Sequence, residues 1–219
     1  MANSKEVHLA GEVLDRTWHI GAFFNSREES YRILLPFIKE GFDHGNRAVY
    51  VLGPGERDEH VWRLEQAGIN VAEAEQKNQL VIRFWDNTYL LDGYVDVDRQ
   101  IALIEELLAD GKAQGFELTR LIARMEWALQ DLPAVNQIVE YEVRLNQTLQ
   151  KYDGVVCWTY DLSKFSASAI IDTLRTHPLV LIGEVLHRNA FFVPPEELMR
   201  EHRERPSPDN AGADGESGQ

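Results

Sequence analysis

The chain has 219 residues, a hydrophobic share of 44% and a formal net charge of −14, which suits one α/β domain or two small ones. The acidic balance disfavours nucleic acid and anionic membrane surfaces, whose binding rests on basic patches. The single cysteine, Cys157, excludes an intrachain disulfide and fits a reducing compartment. No apolar run nears the ~20 residues of a membrane span. The N-terminus lacks a signal-peptide core, so a soluble cytoplasmic protein is expected.

Residues 4–15 read as a short amphipathic helix with Val7, Leu9, Val13 and Leu14 loosely on one face. Trp18–Phe24 reads as the first strand. Ser26 and Glu29 then fit a capping box, in which each side chain satisfies a free N–H at a helix start. A helix from about Arg27 to His44 follows, with Tyr31, Leu34, Leu35, Ile38 and Phe42 at helical spacing. Pro36 should kink it, because it removes the bond to Arg32. The turn lies at the carboxyl end of a strand, where open α/β sheets bind ligands. It lacks the glycines and lysine of a phosphate loop. It carries Glu28 and Glu29 where an anion would sit.

Arg47–Leu52 reads as a strand buried on both faces, and a helix from about Glu56 to Ala67 stops at Gly68. Gln79–Trp85 is the next strand. Val97, Ile101, Ile104 and Leu108 mark a helix ending near Gly111. Leu118–Met125 is a strand, and Pro133 suits the first turn of a helix whose core stripe is Ile138, Tyr141, Leu145 and Leu149. Val155–Tyr160 is a strand. Ser163 is the candidate cap of the next helix, and Leu179–Ile182 and Ala190–Val193 read as β. The last residues, 203–219, hold no apolar side chain larger than alanine and should be disordered. The division is an N-terminal extension (1–16), one domain (17–202) and an acidic tail (203–219). Strands alternating with helices predict an α/β fold, three-layered, with a mostly parallel sheet and helices on both faces.

Several stretches along this order resemble one family. His19, Phe24-Asn25-Ser26 and Glu28-Glu29-Ser30-Tyr31 are similar to the opening of the MEDS domain, as is Pro36-Phe37-Ile38 with Glu40-Gly41 and Gly45. Met125-Glu126-Trp127, Cys157-Trp158-Thr159-Tyr160-Asp161, His177-Pro178 and Asn189 to Pro195 resemble its later signatures. The resemblance implies a RecA-like fold without a working phosphate loop. It implies a sensory role, with small hydrocarbon derivatives as ligands. Relatives are commonly joined to DNA-binding, kinase or phosphorelay domains. The expected output is therefore a separate regulatory partner, such as a kinase, an anti-sigma factor or a transcription factor. Arg124, directly before Met125-Glu126-Trp127, stands where a small or acidic residue would be expected.

The candidate ligand-binding residues are His19, Asn25, Glu126, Trp127, Tyr160, Asp161 and His177, drawn from strand ends and the turns after them. Each has a plainer reading. His19 is a core histidine, Glu126 a salt-bridge partner of Arg120 or Arg124, Asp161 a capping group and His177 a turn residue biased by Pro178. Cys157, mid-strand, is either a small hydrophobe or a soft-ligand or redox-sensitive thiol. His19, Cys157, His177 and Glu126 are metal-ligand types, but none has the short spacing of a metal motif, so no metal and no cofactor is expected. No G-x-S-x-G elbow is present. The leading expectation is a non-enzymatic sensor of a small organic molecule. The alternatives are a degenerate ATPase fold kept as an interaction module, and an enzyme acting as a weak ATPase or through a metal.

Overall fold

The computed structural model describes residues 6–14, 17–86, 88, 90–91, 94–129 and 135–204. Its first element is a hairpin, β1 (Val7–Leu9) and β2 (Glu12–Leu14), paired antiparallel. The helix expected over residues 4–15 does not form. Ala10 and Gly11 both adopt left-handed φ, 51° and 82°, which is the two-residue turn that matches strand twist. The apolar residues alternate accordingly, and Val7, Leu9 and Leu14 are buried in the core.

The chain continues through β3 (Thr17–Phe24), α1 (Arg27–His44), β4 (Arg47–Leu52), α2 (Arg57–Gln66), α3 (Val71–Gln76) and β5 (Leu80–Phe84). A short pair, β6 (Leu90–Leu91) and β7 (Tyr94–Val95), precedes α4 (Val97–Ala113), β8 (Thr119–Arg124) and a 3-10 turn at Glu126–Leu129. Then come α5 (Val135–Leu149), β9 (Gly154–Asp161), α6 (Ala167–Leu174), β10 (Leu179–Ile182), β11 (Val185–Arg188) and α7 (Pro195–Glu204). Among the described residues α1 runs unbroken through Pro36 and ends on Gly45, whose φ of 75° closes the helix. Ser166, not Ser163, caps α6, its Oγ accepting from the Ala169 N–H at 3.3 Å. Ser163 instead donates to Asp161. The last strand is β11, and the chain after it turns through residues 190–191 rather than extending. Arg203 and Glu204, expected in the disordered tail, instead complete α7, while Pro133 and residues 205–219 lie outside the described residues.

The main sheet has the order β11-β10-β3-β9-β8-β4-β5, with every pairing parallel except β10 with β11. This is the mostly parallel α/β architecture, with helices on both faces. Side chains alternate across it. Ile20, Ala22, Phe24, Tyr50, Leu52, Ile122, Val155 and Cys157 join the layer containing α1, α2 and the N-terminal hairpin. Phe23, Val49, Val51, Leu121, Val156, Trp158 and Tyr160 join the layer containing α4 and α5. Each helix layer therefore covers its own apolar face.

Candidate functional site

The turn between β3 and α1 is closed by its own side chains. Ser26 Oγ accepts from the Glu29 N–H at 3.2 Å, and the Glu29 carboxylate accepts from the Asn25 backbone N–H at 2.6 Å and the Asn25 amide at 3.1 Å. Backbone N–H groups at such a turn are the donors that hold a phosphate in nucleotide-binding α/β folds. Glu28 points instead at Arg63, 2.8 Å away, and Arg27 pairs with Glu56 and Glu59. At the same sheet edge Glu126 is held by Arg124 at 3.5 Å and Lys164 at 3.2 Å, and Asp161 by Lys164 at 3.4 Å. Bonds from Ser163 and the charge of Lys164 outweigh partial burial and keep Asp161 below the usual carboxylate range.

A narrow cleft opens between α1, α2 and strands β4 and β8, lined by Tyr31, Leu34, Tyr50, His60, Ile122 and Arg124. Its volume is about 20 Å³, room for one water-sized group. The Tyr31 hydroxyl lies 2.9 Å from His60 Nδ1, and the His60 ring sits 4.0 Å from that of Tyr50. His60 Nε2 is buried with no hydrogen-bond partner among the described residues.

The other face of the sheet holds a polar cluster at its centre. His19 on β3 and His177, just before β10, both point at Glu142 of α5. The three are fully or almost fully buried. His19 Nε2 lies 3.2 Å and His177 Nε2 3.6 Å from Glu142 Oε2. The second carboxylate oxygen, Oε1, accepts from the Tyr160 hydroxyl at 3.0 Å. Asn146, one helical turn beyond Glu142, donates through Nδ2 to the Thr176 carbonyl at 2.9 Å, so its Oδ1 accepts from His19 Nδ1 at 3.1 Å. His177 Nδ1 donates to the Thr173 carbonyl at 2.9 Å. Burial lowers His19 to about 3 and His177 to about 4, and raises the Glu142 carboxyl to about 7.

Gly21 makes room for this cluster. A Cβ there would lie 2.9 Å from Cγ and 3.1 Å from Nδ1 of the buried His177 ring. Gly21→Ala is therefore expected to cost about 1–3 kcal/mol by overpacking. A lower urea midpoint with unchanged slope would register it, and wild-type stability would show that the ring has room to move.

The sequence-derived candidates thus separate into two groups. His19, Tyr160 and His177 converge inside the sheet face, where Trp127 is also buried in the apolar layer. Asn25, Glu126 and Asp161 stay at the strand ends in local bonds and ion pairs. The candidates drawn from strand ends, His19, Asn25, Glu126, Tyr160 and Asp161, do not meet at one edge, and the register shows why. His19 stands opposite Val156, five residues short of the Phe24–Asp161 end of the β3–β9 ladder. Its side chain and that of Tyr160 point into the helix layer. Cys157 is fully buried on the opposite face, and burial pushes its thiol up to about 12, which suits a small hydrophobe. Glu142, His60 and Asn146 were not among the candidates. The legible signal was a pair of polar residues, Glu142 and Asn146, at i,i+4 beside the apolar stripe of α5.

Comparison with known proteins agrees with this architecture. The chain is 18% identical to the crystal structure of the KaiC-like protein PH0186 from Pyrococcus horikoshii OT3, with a TM-score of 0.52 over 75% of this chain and 70% of that one. It is 14% identical to the uncharacterized protein PH0321 from Pyrococcus horikoshii, solved with an unknown peptide, with a TM-score of 0.59 over 77% and 78% of the two chains. These likenesses establish a RecA/KaiC-like fold. In sequence the chain is 24% identical over 180 residues to the transcriptional repressor DcmR of Methylorubrum extorquens (strain DSM 6343 / CIP 106787 / DM4). That match covers 80% of this chain and 63% of the repressor, so the chain spans under two thirds of that relative. Among the described residues no helix is long and apolar enough to cross a membrane. The sequence profile of the methanogen/methylotroph, DcmR sensory domain matches residues 18–178, from the strand bearing His19 to the turn bearing His177, and the chain belongs to this MEDS family.

Proposed function

We propose that this chain is a non-enzymatic sensory domain that binds a small organic molecule in the cleft between α1, α2 and the sheet. It passes the signal to a separate regulatory protein, whether a kinase, an anti-sigma factor or a transcription factor. Membership of a sensory family and similarity to a transcriptional repressor support the regulatory half. The observation that carries the ligand half is His60 Nε2, a buried polar atom left unpaired among the described residues at the wall of a cleft lined by apolar and polar side chains. The adjoining turn, with its N–H groups already taken by Ser26 and Glu29, supports a fold that has given up nucleotide.

The cleft is too small for more than one water-sized group without movement. A ligand of several heavy atoms must therefore displace Tyr31 or Leu34, both on α1. Binding would then favour one packing of α1 over another, which is what a population shift requires. The test is a thermal-shift panel of one- to three-carbon halides, alcohols, amines and acids, run beside ATP and GTP. A binder at 100 times its dissociation constant should stabilise by about 2.7 kcal/mol, and His60→Gln should abolish the gain. Silence across the whole panel would favour the docking-module reading. Nucleotide binding lost on altering Asn25 and Ser26 would overturn the closed-turn argument.

A further inference from the structure

We propose that His19, His177 and Glu142 bind one divalent transition cation, Zn²⁺ or Fe²⁺, beneath the central strands. This site lies on the opposite face of the sheet from the cleft. It stands independently of the sensing role proposed above.

Three observations carry the inference. The first is spacing. One ligand atom from each residue lies within 4.8 Å of the others, and the two nitrogen–oxygen separations are 3.2 and 3.6 Å. Ligands about 2.1 Å from a tetrahedral ion stand roughly 3.4 Å from one another. An ion therefore fits among these three atoms with little rearrangement.

The second is the direction of the lone pairs. Each histidine spends its Nδ1–H on an outward acceptor, the Asn146 amide oxygen for His19 and the Thr173 carbonyl for His177. That fixes the tautomer in which Nε2 is a bare acceptor facing inward. The Tyr160 hydroxyl engages Oε1 of Glu142 and leaves Oε2 facing the same point. Outer-shell bonds of this kind orient imidazole and carboxylate ligands in metal sites.

The third is what remains unsatisfied. His19 Nε2, Glu142 Oε2 and His177 Nε2 are all buried without a hydrogen-bond partner among the described residues. The plainer reading is a polar core network with one proton on the carboxyl. A single proton on Oε2 serves one nitrogen and leaves the other orphaned, whereas a cation satisfies all three at once. Two imidazoles and one carboxylate suit zinc or ferrous iron rather than magnesium or calcium. Three protein donors leave at least one coordination position for water or a small anion.

The three residues have no exposed wall, so the ion is best introduced during folding. Tag-free full-length chain, refolded with Zn²⁺ or Co²⁺ and desalted, is expected to retain about one ion per chain. The Co²⁺ form should show the visible bands of a low-coordinate nitrogen–oxygen site. Glu142→Gln and His177→Gln should each lose the ion. Tyr160→Phe, which keeps the ring against Phe23 and His177 and removes the hydroxyl that engages Oε1, should weaken binding by about 10- to 100-fold. This last variant keeps the test decisive if either ligand substitution fails to fold. Refolded wild type with native circular dichroism and no retained metal would overturn the proposal, as would retention unchanged in all three variants.

Discussion

Arg120→Ala is expected to destabilise the fold by about 3–5 kcal/mol, the range for dismantling a buried ionic cluster. Arg120 rises from β8 into the layer of α1 and is 1% exposed. Its Nε donates to Asn46 Oδ1 at 3.0 Å, and its Nη1 donates to Glu40 Oε2 at 2.9 Å and to the Phe37 carbonyl. The guanidinium carbon stands 4.5 Å above the Phe37 ring. Gly41 leaves space for it, since a Cβ there would lie 2.7 Å from Nε. Glu40 is also bonded to the His8 backbone and ring, at 3.1 and 2.6 Å, so the same guanidinium helps anchor the N-terminal hairpin. Arg120→Lys should rescue little, because an ammonium cannot fork to three partners in one plane. Arg120→Met should recover part by restoring the apolar stem. Urea denaturation of the three variants measures the order, and a stability equal to wild type in Arg120→Ala would remove the cluster from the account.

Acid should unfold the protein early, and His60 should carry a measurable share of that sensitivity. Burial lowers its imidazole from 6.5 to about 3, with the charges of Arg124 and Arg57 adding to the effect and Glu59 opposing it. Tyr31 and Tyr50 face the ring and offer no charge. The folded state keeps His60 neutral, while the unfolded chain takes up a proton below pH 6.5. Between those limits the unfolded state binds more protons, so stability falls with pH by about 1.4 kcal/mol per unit for this group. By pH 5 the loss from His60 is about 2 kcal/mol. His60→Gln should therefore be less stable than wild type at pH 8 and converge on it, or pass it, near pH 5. Parallel stability curves for the two proteins would show that His60 is not held neutral.

The parallel strands could be read in advance because several hold continuous apolar runs between turn signals, as in Ala48-Val49-Tyr50-Val51-Leu52, and alternate with helical patterns. The N-terminal hairpin could not. Its strands have three residues each, too short for period-2 alternation to outweigh a loose helical stripe. The informative residues there were Ala10 and Gly11. β11 was placed too late because Ala190-Phe191-Phe192-Val193 is more apolar than Val185-Leu186-His187-Arg188, yet only the latter follows the tight turn at Gly183. The closed turn at Ser26 and Glu29 was legible from the capping-box spacing alone. The buried cluster was half legible. His19 and His177 stand out by type, whereas Glu142 lies next to Tyr141, outside the stripe of Ile138, Tyr141, Leu145 and Leu149. Which carboxylate meets two histidines 158 positions apart in the chain is a property of packing, and no local spacing announces it.

The placement of β3 sets the order in which the protein can be made. Its neighbours in the sheet are β9 and β10, residues 154–161 and 179–182, although β3 itself ends at Phe24. During synthesis from the N-terminus, β4 and β5 can pair as soon as they emerge, since they adjoin each other. The strand made before them waits with both edges bare until β9, which begins 130 residues beyond Phe24, has left the ribosome. Such long-range closure is slow, and an unpaired apolar strand is what chaperones and neighbouring chains find first. A nascent chain arrested before residue 154 should therefore hold a folded β4–β5 segment behind a protease-sensitive β3.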